Sequence, residues 1–185
     1  MLEVGCGEGE LARALDAAGY SVLAIDPDAP EGAIFRRTTI EELDEPGPFD
    51  AIVAARVLHH VHPLGSALEK LVCLAPRLVV DEFAPERIDP QTQDWYEGQH
   101  RMLVAAGVDP KAPPDLDQWR LDHPDLHPST TILRELADRY EQRHLEWRPY
   151  LCRWLRGPAS EALEAALIDA GAIQATGYRY VGERR

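Results

Sequence analysis

Met1-Leu2-Glu3-Val4-Gly5-Cys6-Gly7-Glu8-Gly9 opens the chain, and after one helical stretch comes Val22-Leu23-Ala24-Ile25-Asp26. The first run reads as a short apolar strand that ends in glycines at alternate positions, which let a backbone turn tightly and lie close to a ligand. The second reads as an apolar strand closed by a carboxylate able to accept hydrogen bonds from a ribose. Between them Leu11, Ala14, Leu15 and Ala18 recur at helical spacing, with Gly19 placed to stop the helix. Strand, glycine turn, helix and acid-ended strand make half of a nucleotide site, and they set the fold class as α/β.

Glycine spacing narrows the nucleotide. Dinucleotide sites use G-x-G-x-x-G, so that a pyrophosphate rests on the helix N-terminus. Here the third glycine comes one residue early. With Leu2-Glu3-Val4 in front, the segment resembles the first motif of the class I S-adenosylmethionine (SAM)-dependent methyltransferases, a hydrophobic strand with an acid followed by G-x-G-x-G. Glu3, Gly5, Gly7 and Gly9 match it residue by residue. A chance glycine-rich turn is the competing reading, and Asp26 at the end of the next apolar strand weighs against it.

Later segments follow the family's order. Ala33 to Arg37 is a short strand candidate, and Thr38-Thr39-Ile40-Glu41-Glu42-Leu43 resembles the loop that lies against adenine. Thr39 stands where many members have an Asp, so the resemblance implies adenine recognition by a hydroxyl, by backbone around Ile40, and by packing of Ile40 and Pro27. Phe49 to Ala55 is an unbroken apolar run suited to a buried central strand. Arg56-Val57-Leu58-His59-His60-Val61-His62 is similar to the L-H-H-V stretch of small-molecule methyltransferases. A helix from Pro63 carries Leu64, Ala67, Leu68, Leu71 and Val72 on one face and ends before Pro76, and Arg77 to Phe83 supplies strand five. The resemblance covers residues 1 to about 83. It implies a Rossmann-like, doubly wound sheet of seven mostly parallel strands in the order 3-2-1-4-5-7-6, with strand seven antiparallel and a helical or loop insertion after strand five.

Residues 84–129 break the alternation. A helix is expected between Pro90 and Gly107, with Trp95, Gln99, Met102, Leu103 and Ala106 along its inner stripe, then an irregular stretch containing Pro110, Pro113, Pro114, Pro124 and Pro128. The family often places substrate-covering insertions after strand five, so the segment reads as a lid; a merely decorative loop is the alternative. Thr131 to Tyr140 is the next helix, with Ile132, Leu133 and Leu136 inward and Ser129 to Thr131 available as caps. Leu145, Trp147 and Leu151 then suggest an edge strand interrupted by Pro149. A helix from Pro158 to Ala170 with Leu163, Ala166 and Leu167 inward stops at Gly171, and Ile173 to Val181 forms the last strand. Residues 1–185 read as a single domain with 84–129 as its insertion.

Composition sets the outer limits. With 45% hydrophobic residues and no long apolar run, the chain can bury one core and offers no membrane span. A basic region and a continuous hydrophobic stretch are both missing at the start, so no signal peptide is expected. Cys6, Cys73 and Cys152 lack metal-ligand spacing and read as reduced thiols of a cytoplasmic protein. The formal net charge of −13 repels a polyanion. Arg143, His144, Trp147, Arg148, Tyr150, Arg153, Trp154 and Arg156 form a basic and aromatic cluster, which fits a strand with snorkelling arginines better than a nucleic-acid patch. A small-molecule acceptor is therefore expected, and nucleic acid is not.

Site roles come from the resemblance. It implies SAM as cofactor, with Gly5, Cys6, Gly7 and Gly9 around its methionine and ribose parts and Asp26 on the ribose hydroxyls. Glu3 shapes the methionine pocket, Pro27, Thr39 and Ile40 flank adenine, and Ala54 and Ala55 bring backbone carbonyls near the methionine end. Methyl transfer is a displacement that asks mainly for alignment and exclusion of water. Where the acceptor is a hydroxyl, a neutral histidine can take its proton; His60 is the first candidate and His59 the second, against the reading that the pair caps a helix or packs beneath the loop. His100, His123 and His127 belong to the expected lid. Asp81 and Glu82 are adjacent on a strand and point to opposite faces, so no metal site is expected there. Trp95, Tyr96, Trp119, Trp147, Tyr150 and Trp154 offer an aromatic wall for substrate, with core packing as the commoner use of such residues.

Family members carry a helix before strand one, and here Met1 stands at the strand itself. A fragment or misassigned start, a lid that replaces the missing cover, and a loss of activity are all compatible with that. Two other functions stand beside the methyltransferase: a noncatalytic SAM-fold partner subunit, and an NAD-dependent oxidoreductase, which the glycine spacing and the lack of a tyrosine-lysine pair disfavour.

Overall fold

A computed structural model describes residues 1–110, 113–155 and 158–185. In chain order the described elements are β1 (Leu2–Val4), α1 (Glu10–Ala17), β2 (Leu23–Asp26), β3 (Phe35–Arg37), β4 (Ile52–Ala55), α2 (Leu64–Leu74), β5 (Arg77–Phe83), α3 (Pro90–Ala105), α4 (Leu116–Asp122), α5 (Ser129–Arg139), β6 (Tyr140–Arg148), α6 (Pro158–Asp169) and β7 (Gly177–Arg184). The strands join in one mixed sheet of order β3-β2-β1-β4-β5-β7-β6, the order that the family resemblance implies. Val4 pairs with Ile25 on one side and with Ala54 on the other, so β1 is where the winding reverses direction. In open sheets of this kind ligands bind at that switch point, outside the carboxyl ends of the strands.

Hydrogen bonds give β7 its direction. The Ala84 amide donates to the Thr176 carbonyl and the Arg184 amide to the Pro76 carbonyl, both at 2.7 Å, so β7 runs opposite to β5. Arg77 with Glu183 at 2.9 Å and Asp81 with Arg179 at 3.7 Å follow the same register as cross-strand ion pairs.

The chain forms two compact units, Met1–Glu82 with Thr130–Leu145 and Arg179–Arg185, and Phe83–Ser129 with Glu146–Tyr178. Within the first, Leu2, Ile25, Ile52, Leu68, Leu71 and Leu78 are fully buried, the expected result of apolar strands covered by amphipathic helices. The second unit has its own aromatic core. Phe83 stacks on Tyr150 at 4.2 Å, Trp154 meets it edge-on at 5.2 Å, and Tyr96, Leu116 and Leu155 complete the cluster with Trp95 and Trp119 against it. Of the six candidate wall aromatics, Tyr96 and Tyr150 are thus buried in this core, and Trp95, Trp119 and Trp154 are half-buried against it. The sixth, Trp147, lies under the Arg87 guanidinium, 3.9 Å from its ring centroid.

Several local expectations are corrected. The inner face of α3 is Thr92, Tyr96 and His100 with Leu103 half-buried, whereas Met102 is 67% exposed and Ala106 also faces solvent. The proline-rich stretch contains helix α4, whose N-cap Asp115 accepts the Asp117 and Gln118 amides. Ser129 does not act as a free cap for α5; its amide and hydroxyl both donate to the Glu86 carboxylate. Strand β6 stops at Arg148, and Leu151 lies in a 3-10 turn, Leu151–Arg153, because Pro149 offers no amide to the ladder. On α6 the buried residue is Glu164, 0% exposed, while Leu163 is 42% exposed. The last strand begins at Gly177 rather than Ile173. Of the basic and aromatic cluster, Arg143 bonds Glu141 and Glu183, and Arg156 lies outside the described residues.

Candidate functional site

The glycine loop is tied to the end of β2. The Gly5 and Cys6 amides donate to the Ile25 carbonyl at 2.9 and 3.1 Å, and the Gly9 amide donates to the Cys6 carbonyl at 2.8 Å. Asp26 closes the link, since its Oδ2 accepts the Gly7 amide at 3.0 Å and its Oδ1 the Asp28 amide at 2.9 Å. A carboxylate has about four acceptor directions, so both oxygens keep capacity for ribose hydroxyls.

The three glycines share positive φ and differ in what surrounds them. A Cβ on Gly5 would lie 2.5 Å from the Val57 Cβ, and one on Gly9 would lie 2.5 Å from the Phe35 Cζ. At Gly7 an added Cβ meets nothing within 4 Å. The chain's own side chains therefore fill two of the three cradles, and the open one is at Gly7.

Glu3 sits beneath this loop and is 3% exposed. Burial pushes its carboxyl up to about 7, opposed by the Arg56 guanidinium and the Ala12 amide. Its Oε2 is buried without a hydrogen bond. Burial, with the nearby Glu3 and Asp26 charges, also pushes the Cys6 thiol up to about 11, so it is no nucleophile at neutral pH.

On the adenine side, the Thr38 amide donates to the Asp26 carbonyl at 3.3 Å, which joins this segment to β2. The Thr39 hydroxyl accepts the Glu42 amide at 3.2 Å, so it serves its own turn first. Ile40 is buried and Pro27 exposed.

Beyond β4, where Ala54 is buried and Ala55 half-buried, the chain turns sharply. Arg56 has φ 58°, and its amide donates to the Asp81 carbonyl at 2.8 Å. Fully buried Glu82 then organises the 3-10 turn Leu58–His60: its Oε1 accepts the Val57 and Leu58 amides at 2.7 and 2.6 Å, and its Oε2 lies 2.6 Å from His59 Nδ1. The sequence points to Glu82 only as a possible metal ligand and gives no sign of this role beyond an acid interrupting an otherwise apolar strand end. The two candidate histidines consequently part company: His59 is buried on Glu82, and His60 is exposed with its ring 4.2 Å from that of His59. His100 and His123 belong to the second unit, where they contact Tyr96 and Trp119; His127 is half-buried there. Among the described residues no group of three or more His, Cys, Asp or Glu is arranged to hold a metal.

The family profile described as "Methyltransferase domain" matches residues 1–148, four-fifths of the chain. The chain belongs to this methyltransferase family. The methyltransferase is 33% identical over 87 residues to a ubiquinone biosynthesis O-methyltransferase of Rhodopseudomonas palustris strain HaA2, a match covering 40% of this chain and 34% of that protein. It thus spans about a third of the length of the curated relatives it matches. Among solved structures, a SAM-dependent methyltransferase of Mesorhizobium loti superposes with a TM-score of 0.61 at 19% identity, over 100% of this chain and 90% of that one. The 1,6-didemethyltoxoflavin-N1-methyltransferase of Burkholderia thailandensis, solved with its substrate and S-adenosylhomocysteine, gives 0.55 at 16% identity, over 99% and 69%. These likenesses establish the class I methyltransferase fold, and family membership sets aside the oxidoreductase reading.

Proposed function

We propose that this methyltransferase uses SAM to methylate an oxygen, nitrogen or carbon of a small-molecule acceptor. The observation that carries the cofactor assignment is the Asp26 carboxylate locked onto the Gly7 amide beside a buried, open Glu3 Oε2. The residues present suit the group: Asp26 for the ribose hydroxyls, Glu3 for the methionine ammonium, and the uncrowded backbone at Gly7 for close approach. Cys6, Gly5 and Gly9 hold the loop, Thr39, Ile40 and Pro27 bound the adenine region, and Ala54 and Ala55 present carbonyls from β4.

When bound, SAM supplies a methyl group activated by its sulfonium. The chain's own work is to orient that methyl and the acceptor in line and to keep water out. For a hydroxyl acceptor, the exposed His60 imidazole takes the proton, and His59 with Glu82 fixes the turn that carries it. Support for a small acceptor comes from the names of the curated relatives and from the net charge of −13, which disfavours nucleic acid. Acceptor choice is assigned to residues 84–129, where substitutions should change acceptor KM and leave SAM affinity unaltered. No helix among the described residues is long and apolar enough to cross a membrane.

Calorimetric titration with SAM, with NAD as a control, tests the reading. Saturable SAM binding that Asp26→Ala weakens at least about tenfold, the loss expected for a hydrogen-bonded charge, supports it; a folded chain that ignores SAM refutes it. His60→Ala should then lower turnover of a hydroxyl acceptor at unchanged SAM affinity.

A further inference from the structure

Arg56 is the one non-glycine residue among those described with a positive φ, 58°. An arginine gains nothing from that region of backbone space, and such outliers persist only where the surroundings hold them. Here β5 does the holding, through the Asp81 carbonyl on the Arg56 amide and the Glu82 carboxylate on the next two amides. The result is a backbone that fixes where the Arg56 side chain leaves the chain, just beyond the carboxyl end of β4, which pairs with β1. Arg56 is exposed and forms no ion pair among the described residues.

Its counterpart lies on β1. Glu3 pairs with Val53 across the β1–β4 ladder, is almost wholly buried, and keeps Oε2 without a partner. Of the charges acting on Glu3, the opposing one is Arg56. A buried acceptor and an unpaired cation thus flank the switch point next to the open cradle at Gly7. A buried acid that an ammonium brought beside it would ionise, and a permanent cation, each with unused capacity, match a zwitterion: an ammonium on the carboxylate and a carboxylate on the guanidinium.

We propose that Arg56 holds the α-carboxylate of the cofactor's amino-acid end, opposite Glu3 on the α-ammonium, so that the strained turn after β4 reads the zwitterion. This rests on the SAM reading above and adds to it a residue that distinguishes SAM from its decarboxylated form.

The test uses Arg56→Gly. Glycine adopts φ 58° without strain, so the variant removes the guanidinium while leaving the turn its preferred backbone. Its thermal midpoint should equal or exceed that of the wild type. Titrations measure SAM and decarboxylated SAM, which keeps the sulfonium and ammonium and lacks only the carboxylate. The wild type should prefer SAM by about ten- to a hundredfold, the range for a hydrogen bond to a charged group, and Arg56→Gly should bind the two alike, with Arg56→Lys between. A preference that survives in Arg56→Gly, or a wild type that binds both forms equally, overturns the proposal and leaves the SAM reading standing. A wild type that binds neither overturns both.

Discussion

Glu3 and Asp26 carry the same functional group and use it in opposite ways. Asp26 spends both oxygens on backbone amides and ties the loop to β2, whereas Glu3 is buried with one oxygen open. The open oxygen has a measurable cost. With its carboxyl raised from 4.5 to about 7, the native state holds a proton that the unfolded chain releases, so stability contributed by this group is full below about 4.5 and is lost as pH rises towards 7. The loss is on the order of 3 kcal/mol. Urea denaturation of the ligand-free chain across that window should show the decline, and Glu3→Gln should flatten it. The glycines separate just as cleanly. Gly9→Ala drives a Cβ into Phe35 and should cost about 2–3 kcal/mol, combining overpacking with backbone strain. Gly7→Ala meets no atom and should cost about 1 kcal/mol, yet weaken SAM binding in the same titration. Sequence showed that these positions needed glycine; it could not show which was crowded, because Phe35 and Val57 arrive from other strands' ends.

Two short turns in this molecule are held by the same device. A buried glutamate accepts the successive amides of a 3-10 turn that comes from elsewhere: Glu82 from β5 for Leu58–His60, and Glu164 from α6 for Leu151–Arg153. Burial raises the Glu164 carboxyl, with the three amides opposing it, and pushes the adjacent Cys152 thiol up to about 12. Glu164→Ala leaves three buried amides without an acceptor and should cost about 3 kcal/mol or more. A lowered urea midpoint at unchanged m would show it, and Glu164→Gln, which retains one carbonyl oxygen, should lose less. This device also explains why helical periodicity misread α6. Apolar spacing marked Leu163 as inward, but a carboxylate with three partners belongs inside and Leu163 does not. On α3 the inner positions include Tyr96 and His100, both buried; the Tyr96 ring is apolar and its hydroxyl donates to the Pro113 carbonyl at 2.8 Å. The expected stripe through Trp95 and Gln99 lies one position from that face.

At the scale of the whole chain, charge is the property with the widest reach. A net −13 on 185 residues repels itself in the folded state more than in the extended one. Raising salt from about 10 mM to about 1 M shortens the screening length from about 30 to about 3 Å and should therefore raise the thermal midpoint. The same charge should carry the chain unretained through a polyanion column at low salt; firm retention would reopen the nucleic-acid reading. The glycine loop and the acid at the end of β2 are legible in the residues alone, because each depends on a short stretch whose period, turn chemistry and spacing are fixed locally; the sheet order follows only from the family those motifs resemble. Which histidine is buried, which glycine stays open, and which glutamates hold turns were decided only by the tertiary structure. Each of those outcomes depends on a partner brought from another segment, Glu82 to His59 and Phe35 to Gly9 by the winding of the sheet and Glu164 to Tyr150 by the packing of α6, and pairwise contact of that kind leaves no local pattern in the chain.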